Sequence, residues 1–245
     1  MKDLEQKYYD FIKSKKLIVG SDLDYYFNKI LYKDVNLKDK TVLDIGAGNG
    51  VYSFYALAKG ASKLVCIEPE LAGSRSNYIS NIKEFANYMG LDSKVEVITD
   101  LFQDYHTKKQ FDIILMHYSI NHIDEPNCIT LKESSKSQEI YAQYFDKLNH
   151  LLINDGDLLI TDVSRNNFFD LIKLKNPFVP TIEWEKHQSP HTWVKHLKRH
   201  NFHLNRLVWT SPNKLKHLHP LLNNFIFLYF TTSLFMFHMK KIKNS

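Results

Sequence analysis

Short apolar runs alternate with stretches of helical periodicity through the first two thirds of the chain. The apolar runs predict five strands, and the stretches between them predict helices over 51–59, 70–89 and 137–152. Strands and helices in alternation form a parallel sheet covered by helices on both faces, and fully apolar strands fit burial on both sides. A turn over 154–157 should lead into the last of the five. The predicted strands are 41–45, 63–67, 95–98, 111–116 and 158–161.

The two ends of the chain depart from this alternation. Residues 1–36 are predicted to form a helical cap with a break at 20–22, because apolar residues recur there at helical spacing. After residue 163 several prolines interrupt the pattern, and 202–209 is typical of an edge strand. We expect the region 163–200 to form a lid over a substrate.

The segment 225–237 is very apolar. Its 13 residues are too few to cross a bilayer, since a spanning helix takes about 20. We interpret the segment as the end of a helix followed by a buried strand at 233–239. The alternative is peripheral contact of this C-terminal segment with a membrane surface, which three following lysines would favour: Lys240, Lys241 and Lys243.

The composition is that of a globular protein. Hydrophobic residues make up 44% and charged residues 24% of the chain, which excludes wholesale disorder, collagen-like repeats and a multi-span membrane protein. Two cysteines, Cys66 and Cys128, cannot form a disulfide framework, and the charged start of the sequence does not resemble a secretory signal. We therefore expect a cytoplasmic protein.

Positive charge is concentrated in one segment. The chain has a formal net charge of +5, and residues 181–220 hold seven lysines and arginines against two glutamates, with seven of the twelve histidines. Such a field attracts anions, so we expect a small anionic substrate. Nucleic acid is a weaker prediction, because no basic run interleaved with aromatic residues is present. The sequence does not indicate an oligomeric state.

A glycine-rich turn joins the first predicted strand to its helix. Gly46, Gly48 and Gly50 allow positive φ and a close approach of ligand to backbone, and a helix N-terminus adds free N–H groups. The next strand ends at Glu68, where a carboxylate can accept the hydroxyl hydrogens of a ribose. The glycine-rich turn and Glu68 together predict a nucleoside-containing cofactor at the carboxyl edge of the sheet.

The kind of cofactor follows from the acid that precedes the glycines. A dinucleotide fingerprint reads Gly-x-Gly-x-x-Gly, whereas here the spacing is Gly-x-Gly-x-Gly after Asp44. A carboxylate repels a pyrophosphate and attracts a cationic amino acid moiety, which favours S-adenosylmethionine. Asp100 could accept from an adenine amino group. The glycine loop of an unrelated dinucleotide enzyme remains the alternative.

With these motifs, residues from about 40 to about 165 resemble the class I S-adenosylmethionine-dependent methyltransferases. The resemblance implies an α/β, Rossmann-like fold: a seven-stranded, mostly parallel sheet with an antiparallel last strand, here with an N-terminal helical extension at 1–36 and a methyltransferase domain at 37–245. It implies S-adenosylhomocysteine as product. It implies that Asp44, Gly46, Gly48 and Gly50 line the methionine end of the cofactor, that Glu68 holds the ribose, and that Asp100 and Leu101 flank the adenine. We also expect cofactor contacts from Ala47, Pro69 and His117, which is near the end of the fourth strand.

The loop after the fourth strand should face the methyl group. Imidazole suits proton abstraction near neutral pH, so we predict His122 as general base, oriented by Asp124 or Glu125, with His187 as a second base. The predicted substrate contacts are Tyr118, Asn121, Arg165 and Asn166. A metal site built from His122, Asp124, Asp162 and His187 is not predicted, because no tight ligand spacing supports it.

The motifs that are absent also bear on the acceptor. No Asn-Pro-Pro-Tyr, Asp-Pro-Pro-Tyr or Pro-Cys follows the fourth strand, which favours O- or N-methylation of a small molecule. Residues 121–125 and 176–187 resemble bacterial methyltransferases of surface-polysaccharide biosynthesis, which suggests an acceptor that carries a phosphate or phosphoramidate on a sugar or nucleotide. The alternatives are an RNA methyltransferase that uses segment 181–220 and a noncatalytic module that binds S-adenosylmethionine.

Overall fold

The computed structural model describes residues 2–17, 23–70, 77–211 and 217–243. They form a seven-stranded sheet in the order β3-β2-β1-β4-β5-β7-β6. Only β7 runs antiparallel to its neighbours, β5 and β6, so the predicted sheet with a reversed last strand is confirmed. The strands are β1 (Thr41–Ile45), β2 (Lys63–Ile67), β3 (Val95–Ile98), β4 (Phe111–His117), β5 (Leu152–Val163), β6 (Phe202–Trp209) and β7 (Leu234–Lys241).

Helices connect these strands and precede them. A π-helix at Phe27–Leu31 follows α2, and 3₁₀ turns lie at Asp92–Lys94, Trp184–Lys186 and Lys198–His200. The predicted break at 20–22 and the predicted helical residues 71–76 lie outside the described residues. The α-helices are α1 (Lys2–Ser14), α2 (Leu23–Tyr26), α3 (Val51–Ala58), α4 (Tyr78–Met89), α5 (Glu125–Ile129), α6 (Ser135–Leu151), α7 (Phe168–Leu171), α8 (Pro190–Leu197), α9 (His219–Leu222) and α10 (Phe225–Tyr229).

Alternate strand residues supply two apolar cores, one on each face of the sheet. In β1, Val42 belongs to one core and Leu43 to the other, because successive side chains of a strand point to opposite faces. The first core includes Phe85 of α4, which stacks between Phe11 and Phe54 at ring-centroid distances of 4.2 and 4.3 Å. The N-terminal helix α1 is therefore packed into the same core as α3 and α4.

The second core lies under α6 and α8. Tyr141 of α6 packs against Trp193 of α8 at a ring-centroid distance of 5.4 Å, and both side chains are fully buried. Ser134 and Ser189 begin these helices, because their side chains accept hydrogen bonds from the backbone N–H groups three residues later. Pro190 takes the first turn of α8, where its missing N–H is not needed.

The structure corrects the start of the fifth strand. The predicted turn at 154–157 lies within β5, which begins at Leu152, six residues earlier than the predicted 158–161. Pairing with β4 jumps from Phe111 opposite Leu152 to Ile113 opposite Asp157, so four residues bulge out between two paired positions. The segment 153–156 has the composition of a turn, and Asp155 within it has a positive φ. Composition alone does not reveal that the residues before and after this segment both pair with β4.

The C-terminal predictions are confirmed. The strand at 202–209 is the edge strand β6, and the apolar segment forms the short helix α10 and then β7, whose residues are mostly buried. Among the described residues no helix has the length and apolar character needed to cross a membrane.

Replacing Phe85 with alanine tests the packing of the first core. The ring is fully buried between two other rings, so the truncation should lower the free energy of unfolding by about 3–5 kcal/mol. Urea denaturation followed by circular dichroism measures this change. Lys83→Ala on the exposed face of the same helix is the control and should cost less than about 0.5 kcal/mol. Equal losses for both variants would contradict the packing described here.

Candidate functional site

The glycine loop lies where the connections from β1 and β4 depart to opposite sides, the position at which α/β sheets bind ligands. Gly46 has φ +73°, and a side chain there would place its Cβ 2.5 Å from the Cβ of Ser119. At Gly48 an added Cβ would meet no atom within 4 Å. The loop is therefore pressed against the end of β4 at its first glycine, while the second glycine leaves backbone open to a ligand.

Glu68 holds the loop in place. Its side chain is buried at the end of β2, and its Oε2 accepts a hydrogen bond of 2.7 Å from the Gly48 N–H. The N–H groups of Gly46 and Ala47 both donate to the carbonyl of Ile67. One carboxylate oxygen of Glu68 is thus used by the loop itself, which fixes the direction in which the other oxygen points.

Asp44 is a buried carboxylate that lacks a full set of partners. It is 2% exposed, and its Oδ1 accepts no hydrogen bond. Burial raises the pKa of Asp44 to about 7, the Ser53 hydroxyl lowers it, and the charge of Glu68 raises it. A buried carboxylate with a free oxygen is costly unless a cation binds to it.

Aromatic rings complete the pocket beside Asp44. The His117 ring stacks on Tyr52 at a centroid distance of 3.4 Å, and the Tyr118 ring lies edge-on to the His117 ring at a centroid distance of 4.5 Å. Aromatic faces attract cations, so both the carboxylate and the rings favour a positively charged ligand. The cavity measures about 190 Å³ and is lined by Leu17, Asp44, Gly46, Ala47, Gly48, Asn49, Val51, Tyr52, Tyr78, His117 and Tyr118.

His117 lies in the pocket wall, where its predicted role in cofactor binding requires it. Its Nε2 is 2.9 Å from the hydroxyl of Tyr26, which is also 3.2 Å from Thr161. Burial lowers the pKa of His117 to about 3, so the ring is neutral at physiological pH. Tyr26 belongs to the N-terminal segment, so this hydrogen bond ties the predicted cap to the site. Tyr26, Tyr52 and Tyr78 carry no motif, and sequence reasoning missed them.

Tyr118 occupies a strained position at the end of β4. Its φ is +59°, in the left-handed region that aromatic residues rarely adopt, and its side chain remains 39% exposed. Its N–H donates to the carbonyl of Thr161, which holds the ends of β4 and β5 together. Strain of this kind is concentrated at functional sites, and it accords with the predicted substrate contact.

The structure places His122 on the surface, away from the pocket lining. Its side chain is 53% exposed, and its Nδ1 lies 2.6 Å from Glu125 Oε1, which supports the predicted pairing with Glu125. Asp124 does not orient His122. Its carboxylate caps α5 by accepting from the Asn127 backbone and side chain, and it also accepts from the Tyr144 hydroxyl. The Asp124 carboxylate is therefore used to cap a helix, and sequence spacing alone cannot distinguish that role from the orientation of His122.

His187 forms a buried pair with Asp162 at the end of β5. The His187 Nδ1 is 2.9 Å from Asp162 Oδ1, which also accepts from the Val163 N–H. Asp162 is fully buried, and its Oδ2 has no partner. A proton on Nδ1 leaves the lone pair of Nε2 available, which is the arrangement of a base and its orienting acid. Asp162 immediately follows Thr161, the residue that contacts Tyr118 and Tyr26.

The remaining predicted residues are scattered. Asp100 is exposed beyond β3, and neither it, Leu101 nor Pro69 belongs to the cavity lining. Asn121 is fully buried with both amide atoms unpartnered. Asn166 is exposed. In the part of the chain that the structure describes, no three histidine, cysteine or acidic side chains converge in a way that could hold a metal ion.

Arg165 is half-buried and follows Asp162 by three residues. Burial raises the pKa of Cys128 to about 12, while the charge of Asp162 raises it further and that of Arg165 lowers it. Both charges thus act on the same thiol. Two cations of the basic segment 181–220 are engaged within the chain: Lys186 pairs with Glu125 and Glu183, and Arg206 donates to the carbonyl of Ile30.

Comparisons with known proteins identify a domain family and solved structures of similar fold. A family model described as a methyltransferase domain matches residues 21–207. The solved structure of a SAM-dependent methyltransferase from Aquifex aeolicus is similar over 95% of this chain and 98% of that one, with 18% identity and a TM-score of 0.56. A S-adenosylmethionine-dependent methyltransferase from Mesorhizobium loti is similar over 84% and 92%, with 12% identity and a TM-score of 0.57.

A curated relative matches a shorter part of the sequence. The histone-arginine methyltransferase CARMER of Drosophila ananassae is 32% identical over 90 residues, which is 37% of this chain. The match spans only 16% of the length of that relative.

Asp44→Asn should stabilise the ligand-free protein, and by more as the pH rises. Between pH 4 and 7 folded Asp44 keeps a proton that the unfolded chain releases, so raising the pH costs the wild type stability. The gain of the variant should be near zero at pH 4 and about 2–4 kcal/mol at pH 8.

Thermal denaturation at both pH values measures this difference, and Asp100→Asn at an exposed acid is the matched control, with no gain at either pH. His117 also titrates on unfolding, but it is present in every variant compared. A variant less stable than the wild type at pH 8 would show that Asp44 already has a cationic partner within the chain.

Proposed function

This chain belongs to the methyltransferase domain family, and on that premise we propose that it transfers a methyl group from S-adenosylmethionine to an oxygen or nitrogen atom of a small polar acceptor that carries an anionic group. The observation that carries the proposal is the pocket of Asp44, the glycine loop and three aromatic rings, together with a buried His187–Asp162 pair whose carboxylate charge acts on Tyr118 of that pocket. Membership of the family supports S-adenosylmethionine as the methyl donor. The His187–Asp162 pair and Arg165 support the proposed kind of acceptor.

The residues of the pocket suit S-adenosylmethionine. The free Oδ1 of Asp44 can accept from the ammonium group, and the open backbone at Gly48 lets the amino acid moiety approach. The remaining oxygen of Glu68 can accept from a ribose hydroxyl. The rings of Tyr52, His117 and Tyr118 exclude water and favour positive charge. When bound, the cofactor supplies an electrophilic methyl group on a sulfonium.

The His187–Asp162 pair can prepare the acceptor. Asp162 accepts from Nδ1–H, so Nε2 is the atom that takes a proton from an acceptor hydroxyl or ammonium. The neutral ring becomes an imidazolium, which the buried carboxylate stabilises. Arg165 follows Asp162 by three residues, acts on the same thiol of Cys128, and can bind an anionic group of the acceptor by two parallel hydrogen bonds. The remaining rate enhancement comes from holding the methyl group and the acceptor atom in line.

The likeness to a histone-arginine methyltransferase supports the shared domain only. It covers 90 residues, so a protein acceptor is not part of the proposal. An RNA acceptor is not favoured either, because two of the described cations of the basic segment are engaged within the chain: Lys186 by two glutamates and Arg206 by a backbone carbonyl.

Transfer of a labelled methyl group tests the proposed function. Wild-type protein incubated with methyl-tritiated S-adenosylmethionine and a fractionated cell extract should label a small acceptor, and Asp44→Ala should not. Label in protein or RNA instead of small molecules would contradict the proposed acceptor class.

The choice of base is tested on the labelled acceptor. His187→Asn keeps a donor toward Asp162 and removes Nε2, so kcat should fall by about 10²–10⁴-fold while the Kd for S-adenosylhomocysteine stays unchanged. His191→Asn, an exposed histidine of α8, is the control and should behave as wild type. Loss of activity in His122→Asn with full activity in His187→Asn would assign the base to His122 and contradict the assignment made here.

A further inference from the structure

Exposed apolar side chains are concentrated in two short segments. Of the twelve large hydrophobic residues that are exposed in the described part of the chain, nine lie in 171–178 and 218–230. Four of them are at least 60% exposed, which is unusual for so many neighbours in a soluble protein. The nine are Leu171, Ile172, Leu174, Phe178, Leu218, Leu221, Phe225, Ile226 and Phe230.

The two segments form one surface, which we call the apolar rim and define as residues 168–178 and 218–230. The ring of Phe168 lies 5.0 Å from that of Phe230. Beneath them the side-chain amides of Asn167 and Asn176 both donate to the carbonyl of Thr231, at 2.9 and 2.6 Å. A buried polar core thus fixes the two segments to each other while their apolar side chains face outward.

The apolar rim lies on the same edge of the sheet as the pocket. One of its segments follows β5 and the other precedes β7, and these strands end opposite each other, with Val163 paired to Leu234. The carboxyl ends of β1 and β4, which carry the glycine loop and Tyr118, are at this edge too. A surface that bound the rim would therefore lie beside the opening of the site.

The charges of the rim are mainly positive. Lys173 and Lys175 are exposed among its leucines, and Asp170, which pairs with Lys173 at 3.1 Å, is its one acid. An apolar surface bordered by lysines complements anionic lipid headgroups above acyl chains. A symmetric contact between two copies of the chain would instead bring the same patch, and hence like charges, together.

We propose that the apolar rim docks on the surface of an anionic lipid bilayer. The exposed leucine, isoleucine and phenylalanine side chains enter the boundary between headgroups and acyl chains, and the lysines contact the headgroups. Docking turns the edge of the sheet that carries the pocket toward the membrane. Resting on the proposed function, this assigns the small polar acceptor to a class: it is the polar, anionic headgroup of an amphiphile, projecting from the bilayer.

Vesicle binding tests the docking without any need for cofactor or acceptor. The full chain should sediment with vesicles of phosphatidylcholine and phosphatidylglycerol, and less with phosphatidylcholine alone. The double variant Leu221→Glu, Ile226→Glu should reduce partitioning by at least about tenfold, because it removes two large exposed apolar groups. Lys175→Glu should reduce the preference for phosphatidylglycerol. Ile242→Glu, exposed at the opposite edge of the sheet, is the matched control and should bind as wild type.

Other results would overturn the proposal. These are wild-type protein that remains in the supernatant with anionic vesicles, a double variant that still sediments, or a wild-type dimer that the double variant converts to monomer without vesicle binding. Unchanged thermal stability and binding of S-adenosylhomocysteine in the variants would show that the fold and the donor site are intact. The acceptor class is tested separately: tritiated methyl groups should appear in the chloroform–methanol phase, and label confined to the aqueous phase would contradict it.

Discussion

The free oxygen of the buried Asp44 carboxylate is the feature on which the site depends. A carboxylate that is 2% exposed and incompletely hydrogen-bonded has a pKa of about 7 because burial disfavours its charge. Strand β1 and the glycine loop hold the Asp44 carboxylate in this position despite the free-energy cost of its burial. A ligand with a positive group offsets that cost, and the aromatic rings of the cavity favour the same kind of ligand.

The architecture brings that carboxylate to a place where chemistry can occur. Because β1 and β4 are neighbours whose connections run in opposite directions, their ends leave a crevice, and the loop after β1 closes one side of it. The next strand, β5, carries Asp162 at its penultimate position and so brings the His187 pair to the same edge. The donor pocket and the candidate base are thus set by the order β1-β4-β5, and the N-terminal segment covers the pocket through Tyr26.

The sequence predicts the features that are encoded locally. Apolar runs, the glycine loop and the acids near it identify the strand positions and the kind of cofactor, because each depends on residues within one turn or one strand. The seven-stranded sheet with its reversed strand was expected from the family resemblance. The pairing of His187 with Asp162 spans 25 residues and depends on how the region after β5 folds back. The choice of His122 followed from its position after β4, yet the His122 ring lies on the surface, just before the short helix that Asp124 caps. The bulge in β5 was missed for a similar reason, since it depends on pairing with another strand.

Proton release on ligand binding tests the central claim most directly. Calorimetric titration of S-adenosylhomocysteine at pH 7, in two buffers of different ionisation enthalpy, gives the number of protons exchanged. Because Asp44 has a pKa of about 7 in the free protein, binding of an ammonium beside it should release about half a proton at this pH, and Asp44→Asn should release none. Binding without proton release in the wild type, or with equal release in both proteins, would show that the cation is held elsewhere.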